Sequence, residues 1–271
     1  MSVINTNVSA LFAQNAMTKN SRAQGAAMEQ LSTGSRINSA KDDAAGLAIG
    51  QSMTTQVRGL NQAVRNLNDG VNLLQTAEGA LNETSNMLQR MRELAVQASN
   101  GTYSASQRGY LDTEFQALAA QITKVSTQTK WNDQALLTTA TNFVFQAGKD
   151  NLQTITATIN DMGADGLTIT AAISVGTVAG SALSISALDI AIGKVNAQRA
   201  SIGAGINQMT YAVDNLSNVS SNASASRSSI MDTDYATAST QLSKTQIIQQ
   251  AATAMLAQAN QQPQAVLSLL K

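Results

Sequence analysis

The sequence predicts a mainly α protein: long antiparallel coiled-coil helices forming a rod, with a small β-hairpin region in the middle of the chain. Three observations lead there. First, Leu188, Ile192, Val195, Arg199, Ile202, Ile206, Met209, Val213 and Leu216 alternate steps of four and three, and eight of the nine are apolar. That 3.5-residue spacing marks a helix that buries a narrow seam against another helix. Arg199, the exception, can lay its stem along the seam and keep its charge in water. Second, apolar residues make up 43% of the 271, yet aromatics are only 3% and there is one proline, which favours helices packed through small side chains. Third, residues 138–180 lose charge and gain Thr, Ile, Ala and Gly.

Taken in order, Met1 to Thr18 carries no charge, and Ile4, Val8, Leu11, Asn15 and Thr18 keep heptad spacing. A helix this short is marginal alone in water and needs a partner. Leu31 to Ile49 reads as a helix break, with Ser39 or Asp42 as the cap of the next helix. A second seam runs Val57, Leu60, Val64, Leu67, Val71, Leu74, slips by one residue, and continues Ala77, Leu81, Thr84, Leu88, Met91, Ala95. It should stop at Ser99-Asn100-Gly101, with Gly101 as the C-terminal cap. Counted from Ala44 this helix is roughly 80 Å long at 1.5 Å per residue. A third seam, Leu111, Phe115, Leu118, Ile122 and Val125, starts near Ser104 or Ser106, and Trp131 then anchors a corner.

Three strands are expected next: Phe143 to Phe145, Leu152 to Ile159, and Leu167 to Val175, with a hairpin turn over Asp161 to Gly166. Their Ser and Thr residues suit either O-linked sugars or solvated strand faces. The central seam then runs on through Ser220, Ala223, Arg227 and Ile230, and Asp232 and Asp234 mark another break. The final helix carries Ile248, Ala252, Met255, Ala259, Gln262, Val266 and Leu269, has no charge from Thr245 to Leu270, and should be kinked or interrupted at Pro263.

Composition narrows the function. Basic and acidic residues number 17 each, and without a basic stripe nucleic acid is excluded as a partner. There is no Cys and no His, so the common metal ligands and general base are missing. No catalytic motif is present, and Glu78, Glu83, Glu93 and Glu114 scatter at helical spacing as a solvated face. The expectation is no enzyme, no catalytic site, no cofactor and no metal. There is no run of 18 apolar residues, so no membrane insertion is expected, and no cleaved secretory signal. Composition alone reads as a soluble cytosolic protein. The two uncharged ends suit the dry interior of an assembly, where an unpaired charge is costly. Ile4, Val8, Leu11, Ile248, Met255, Val266 and Leu269 are the expected assembly core.

With those residues in view the chain resembles bacterial flagellin, in a short form lacking large outer domains. The resemblance rests on Ile4 to Asn7, the run Leu31 to Ile49 with Lys41-Asp42-Asp43, Gln75 to Leu81, and Gln89 to Gln97. At the carboxyl end it rests on Ser226-Arg227, Asp234-Tyr235-Ala236, Met255 to Asn260 and Val266-Leu267. Residues 1–137 and 184–271 are covered. Departures are Trp131 for a usual Phe, Asp133 for a frequent Gly, and Met91 for a common Val or Ile.

The resemblance implies an inner terminal-helix domain, 1–44 plus 230–271, and a rod domain, 45–229, with the small β region at about 138–180. It implies a structural subunit that self-assembles into the helical flagellar filament for motility. It also implies export in unfolded form through the flagellar type III apparatus, an export chaperone, a filament cap and an extracellular location, which replaces the cytosolic reading. Gln89, Arg90, Leu94 and Glu114 match positions through which flagellins contact toll-like receptor 5 of animal hosts. The alternative to that receptor site is an interhelical Arg90–Glu114 ion pair or a subunit contact. The alternatives for the whole chain are a hook–filament junction protein and a helical type III translocator.

Overall fold

The computed structural model describes residues 6–169 and 173–268, with side chains up to Gln261. Five helices carry the chain: α1 (Val8–Thr33), α2 (Ala44–Ala98), α3 (Ala105–Gln128), α4 (Val178–Met231) and α5 (Tyr235–Ser268). Between α3 and α4 lie β1 (Lys130–Trp131), β2 (Gln134–Ala135), β3 (Thr141–Gln146) and β4 (Thr154–Ile159), paired as two antiparallel hairpins. The chain divides into two units. One comprises residues 1–57 and 221–271, the other 58–220.

In the second unit α2 and α4 run antiparallel. Ser220 donates to Asn61 at 2.8 Å, Arg199 lies 3.9 Å from Glu78, and Arg92 lies 2.6 Å from Asp189. The buried stripe of α2 is Leu60, Ala63, Leu67, Gly70, Leu74, Ala77, Leu81, Thr84, Leu88, Met91, Ala95 and Ala98. It alternates three and four without a break, so the expected one-residue slip does not occur. Val64 and Val71, assigned to the seam by their bulk, are half-buried beside it, and Ala63 and Gly70 hold their places. Small residues let the partner come close. A Cβ on Gly70 would stand 3.0 Å from the Phe145 ring and 3.1 Å from Met209 Sδ.

The same correction applies to α4. Its stripe contains Ser181, Ser184, Leu188, Ala191, Val195, Gln198, Ile202 and Met209. Ile192 and Arg199 sit one step round the helix, half-buried. Gln198 is the longest polar side chain of the stripe, and its amide is partnered on both sides. Its amide nitrogen donates to Thr158 O at 2.9 Å, and its oxygen accepts from Asn160 N at 3.2 Å and Asn160 Nδ2 at 2.9 Å. A buried amide satisfied on both sides ties the end of β4 to α4. One 18-residue window of α4 has mean hydropathy 1.5, enough to cross a membrane by length and composition alone. The count of uninterrupted apolar residues misses this, because Ser and Gly break the run. Leu188, Ala191, Val195 and Ile202 from this helix are core.

α3 starts where expected. Ser104 accepts from Gln107 N while Gln107 Oε1 accepts from Ser104 N, a reciprocal capping box. α2 ends at Ala98, but Gly101 is not its left-handed cap, since Gly34 alone among the described glycines has positive φ. Asn132 and Asp133, at φ 47° and 63°, turn β1 into β2, as a two-residue hairpin requires. Asp133 thus takes the left-handed conformation that a glycine would take more easily. Trp131 packs half-buried on the core.

β3 and β4 realise the first two expected strands. The third is absent among the described residues. Leu167, Thr168 and Ile169 donate to Gly163, Asp165 and Ala164 carbonyls at 2.9, 3.0 and 2.7 Å, a turn in place of a ladder. Further on, Val175 N donates to Asp112 Oδ1 at 2.8 Å. Leu167, Ile169 and Val175 are buried as their alternation suggests, but their backbone groups find turn and side-chain partners instead of a strand.

Candidate functional site

The first unit is built on the pairing of α1 with α5. Asn7 Nδ2 donates to Ala259 O and Asn20 Nδ2 to Thr245 O, both at 2.7 Å, which sets the two helices antiparallel. The face of α1 turned inward is Ala10, Ala13, Met17, Asn20, Gln24, Ala27 and Leu31. On α5 it is Ala238, Leu242, Thr245, Gln249, Ala252, Leu256 and Ala259. Both sets keep perfect three–four spacing, but they are mostly small or polar. The bulky apolar residues face out: Val8, Leu11, Phe12, Met28, Ile247, Ile248 and Met255 are all exposed, Phe12 at 73%.

Reading the apolar positions Val8 and Leu11 as the seam of α1 therefore chose the outer face. Ile248 and Met255 lie on the outer side of α5 in the same way. Ile4 and Leu269 lie outside the described residues, and so does the Val266 side chain. α5 continues past Pro263 to Ser268, so the proline does not end it.

The break between α1 and α2 meets the break between α4 and α5. Arg36 N donates to Met231 O at 2.7 Å and Thr233 N to Gly34 O at 2.9 Å, a two-rung antiparallel bridge. Gly34 ends α1 at φ 71°, and a Cβ there would lie 2.9 Å from the Tyr235 hydroxyl. Only glycine meets both demands. The cap of α2 is Asp43, whose Oδ1 accepts from Gly46 N at 2.8 Å, and not Ser39 or Asp42. Asp42 instead folds the preceding turn, accepting from Asn38 N, Ser39 N and Ser39 Oγ at 3.2, 2.9 and 2.9 Å. The Ser39 hydroxyl is the main reason its carboxyl is held below the ordinary value. Asp234 caps α5 through Ala236 N at 2.9 Å, and the Thr237 hydroxyl chiefly lowers its pKa.

On the second unit, Gln89, Arg90, Arg92 and Glu93 are exposed along α2. All three nitrogens of the Arg90 fork are engaged. Nε and Nη2 reach Glu114 Oε1 at 3.0 Å, and Nη1 reaches Glu93 Oε2 at 3.0 Å. The hydrogen bond to Glu93, then the hydrogen bond and charge of Glu114, raise the Arg90 pKa. The pair joins α2 to α3, so the interhelical ion pair weighed from sequence exists. Leu94 does not belong to this surface. It is 0% exposed, packed in the core with Leu88 and Met91. The sequence placed it beside Arg90 at four-residue spacing, but the seam there takes both Leu94 and Ala95 inward. A shallow groove next to the cluster is lined by Gln89, Arg92, Glu93, Val96 and Gln97, of which only Gln89 was expected at a contact surface. The described residues contain no cluster of three His, Cys, Asp or Glu able to hold a metal.

Comparison with known proteins agrees with this architecture. Residues 4–142 match the bacterial flagellin N-terminal helical region, and residues 185–270 match the bacterial flagellin C-terminal helical region. A flagellin of Halalkalibacterium halodurans is 42% identical over 271 residues, covering 99% of this chain and all of that one. A flagellin of Bacillus subtilis is also 42% identical, covering 99% of each chain. The crystal structure of Bacillus cereus flagellin is similar at 33% identity and TM-score 0.52, covering 56% of this chain and 88% of that one. The matched regions are the ones that build the α1–α5 pair and the α2–α4 seam, and with relatives matched over nearly their whole length they establish that the chain belongs to the bacterial flagellin family, the non-enzymatic subunits of the extracellular flagellar filament.

Proposed function

We propose that this subunit polymerises through the outward apolar faces of α1 and α5. The observation that carries the proposal is the inversion on that pair. Small and polar side chains fill the intrachain seam, while Val8, Leu11, Phe12, Ile247, Ile248 and Met255 are left to solvent. Exposed bulky apolar residues in this number call for a partner, and the absence of charge from Met1 to Thr18 and from Thr245 to Leu270 lowers the desolvation penalty of burying them. Other copies of the chain supply the partner. In this reading residues 1–44 and 230–271 are the terminal-helix assembly domain and residues 45–229 the rod domain.

Export precedes assembly in this reading. The chain leaves unfolded through the flagellar type III apparatus, and an export chaperone covers the apolar ends until a filament cap receives them.

The test is seeded growth. Protein heated to monomer and cooled with short filament fragments should extend them. Leu11→Asp and Met255→Asp should not, because each places an unpaired charge in a dry interior. The second unit should melt unchanged in both variants. Filament yields equal to wild type would show that these positions remain in solvent.

A second reading attaches to Arg90. We propose that Gln89, Arg90 and Glu114 form the contact for toll-like receptor 5. An arginine fork already oriented by two carboxylates is preorganised, which limits the entropy lost on binding.

A further inference from the structure

We infer that Met255 and Met28 are a peroxide-reactive modification site that gates assembly of the subunit. The inference rests on the assembly proposal above. The chain has ten methionines and no cysteine. A peroxide therefore meets no thiolate, its usual first target, and the thioethers are the reactive sulfurs that remain.

Their distribution is uneven. Met255 is 66% exposed and Met28 55%, and both lie on the α1–α5 pair. Met91, Met162 and Met209 are buried in the other unit. Met17, Met53, Met87 and Met231 are half-buried. Thus the two most accessible thioethers of the described chain both stand on the α1–α5 pair, and Met255 is among the residues proposed to become dry in the polymer. Met255 lies level with Leu11 in the antiparallel pairing that joins Asn7 to Ala259 and Asn20 to Thr245.

The chemistry is an oxygen-atom transfer. A sulfur lone pair attacks one peroxide oxygen, the O–O bond breaks, and the sulfur is oxidised by two electrons to the sulfoxide. The second oxygen leaves as water after proton transfer. The product carries a strong acceptor on a side chain that was apolar and flexible. On an exposed monomer this changes little. In a packed interior the new dipole must be matched by a donor or bear its desolvation cost, and the stretch around Met255 carries no charged side chain to match it. Oxidation before assembly blocks incorporation. Once the chain is incorporated, its neighbours shield the same sulfurs.

The experiment exposes monomer and preformed filament to the same dose of hydrogen peroxide. Sulfoxide is mapped by peptide mass, and seed extension is then measured. In monomer, Met255 and Met28 should oxidise ahead of Met91, Met162 and Met209. In filament they should oxidise several-fold more slowly. Oxidised monomer should extend seeds about tenfold more slowly or not at all, and methionine sulfoxide reductase should restore the rate. Met28→Leu/Met255→Leu should keep after peroxide whatever extension rate it shows before it, whereas wild type should lose its rate, and Met255→Gln should copy the oxidised state without peroxide. If monomer fully oxidised at Met255 and Met28 extends seeds like untreated protein, the inference is overturned. If untreated wild type itself fails to extend seeds, the assembly reading falls, and this inference with it.

Discussion

Asn20 on α1 donates its side-chain amide to the carbonyl of Thr245 on α5 at 2.7 Å, and both residues are buried. The same amide reaches Gln249 Oε1 at 3.1 Å. A polar pair at the centre of an otherwise small-residue seam fixes the register between helices drawn from opposite ends of the chain.

Asn20→Ala should therefore loosen the first unit and spare the second. Loss of one partly buried hydrogen-bonded amide is worth about 1 kcal/mol. Hydrogen exchange should rise together in α1 and α5 and stay unchanged in the buried stretch of α2 from Leu81 to Ala98. Faster exchange in α1 alone would mean that the two helices do not share a register lock.

Two glycines of α2 should respond in opposite directions. Gly70→Val forces a side chain against the Phe145 ring and Met209, and overpacking of this kind costs about 1–3 kcal/mol. Gly79→Ala meets nothing within 4 Å, and replacing a mid-helix glycine stabilises by about 0.5–1 kcal/mol. Thermal melts should show the first variant below wild type and the second above it.

The buried stripe of α4 is testable at neighbouring positions. Ile202, in the stripe, should lose about 2–5 kcal/mol on change to alanine. Ile192, half-buried beside it, should lose less than half as much. Equal losses in urea titration would restore Ile192 to the seam.

The Arg90 surface separates recognition from folding. Arg90→Ala removes an exposed ion pair and should change stability by less than about 1 kcal/mol. It should nonetheless reduce the response of a toll-like receptor 5 reporter to monomeric protein. Leu94→Ala, in the core, should cost about 2–5 kcal/mol, so its effect on the reporter should follow the loss of fold. Unchanged potency of Arg90→Ala would remove the receptor contact from this surface.

Acid should open α5 at its start. The pKa of Asp234 is held below the ordinary carboxylate value by the Thr237 hydroxyl and by the Ala236 and Thr237 amides. A depressed folded-state pKa contributes stability that is present above the unfolded value, about 3.9, and is lost as pH falls through the folded value. Helicity of the first unit should decline below about pH 4 for this reason, and Asp234→Asn, which keeps the acceptor and cannot titrate, should lessen that decline in circular dichroism.

The sequence by itself determined where the helices are. Heptad spacing placed α2, α3 and α4, and the Asp-rich breaks at Lys41 to Asp43 and at Asp232 to Asp234 separated α1 and α5 from them. These signals are local: periodicity, caps and turn formers act within a few residues. The motif runs also disclosed the family, because they are long and jointly specific.

Tertiary structure alone decided which face of each helix goes inward. Counting apolar bulk chose Val64, Val71 and Ile192, and chose Val8 and Leu11 on α1. The packed chain buries Ala63, Gly70 and Ala191, and pairs Ala10, Ala13 and Asn20 with α5. A small residue gains little from leaving water by itself, yet it lets two backbones approach and their neighbours interlock, and that gain exists only once the partner helix is in place. The third strand failed for a related reason. Alternation at Leu167, Ile169 and Val175 reported burial correctly, but a strand also needs an edge to pair with, and turn carbonyls hold the first two amides and Asp112 the third.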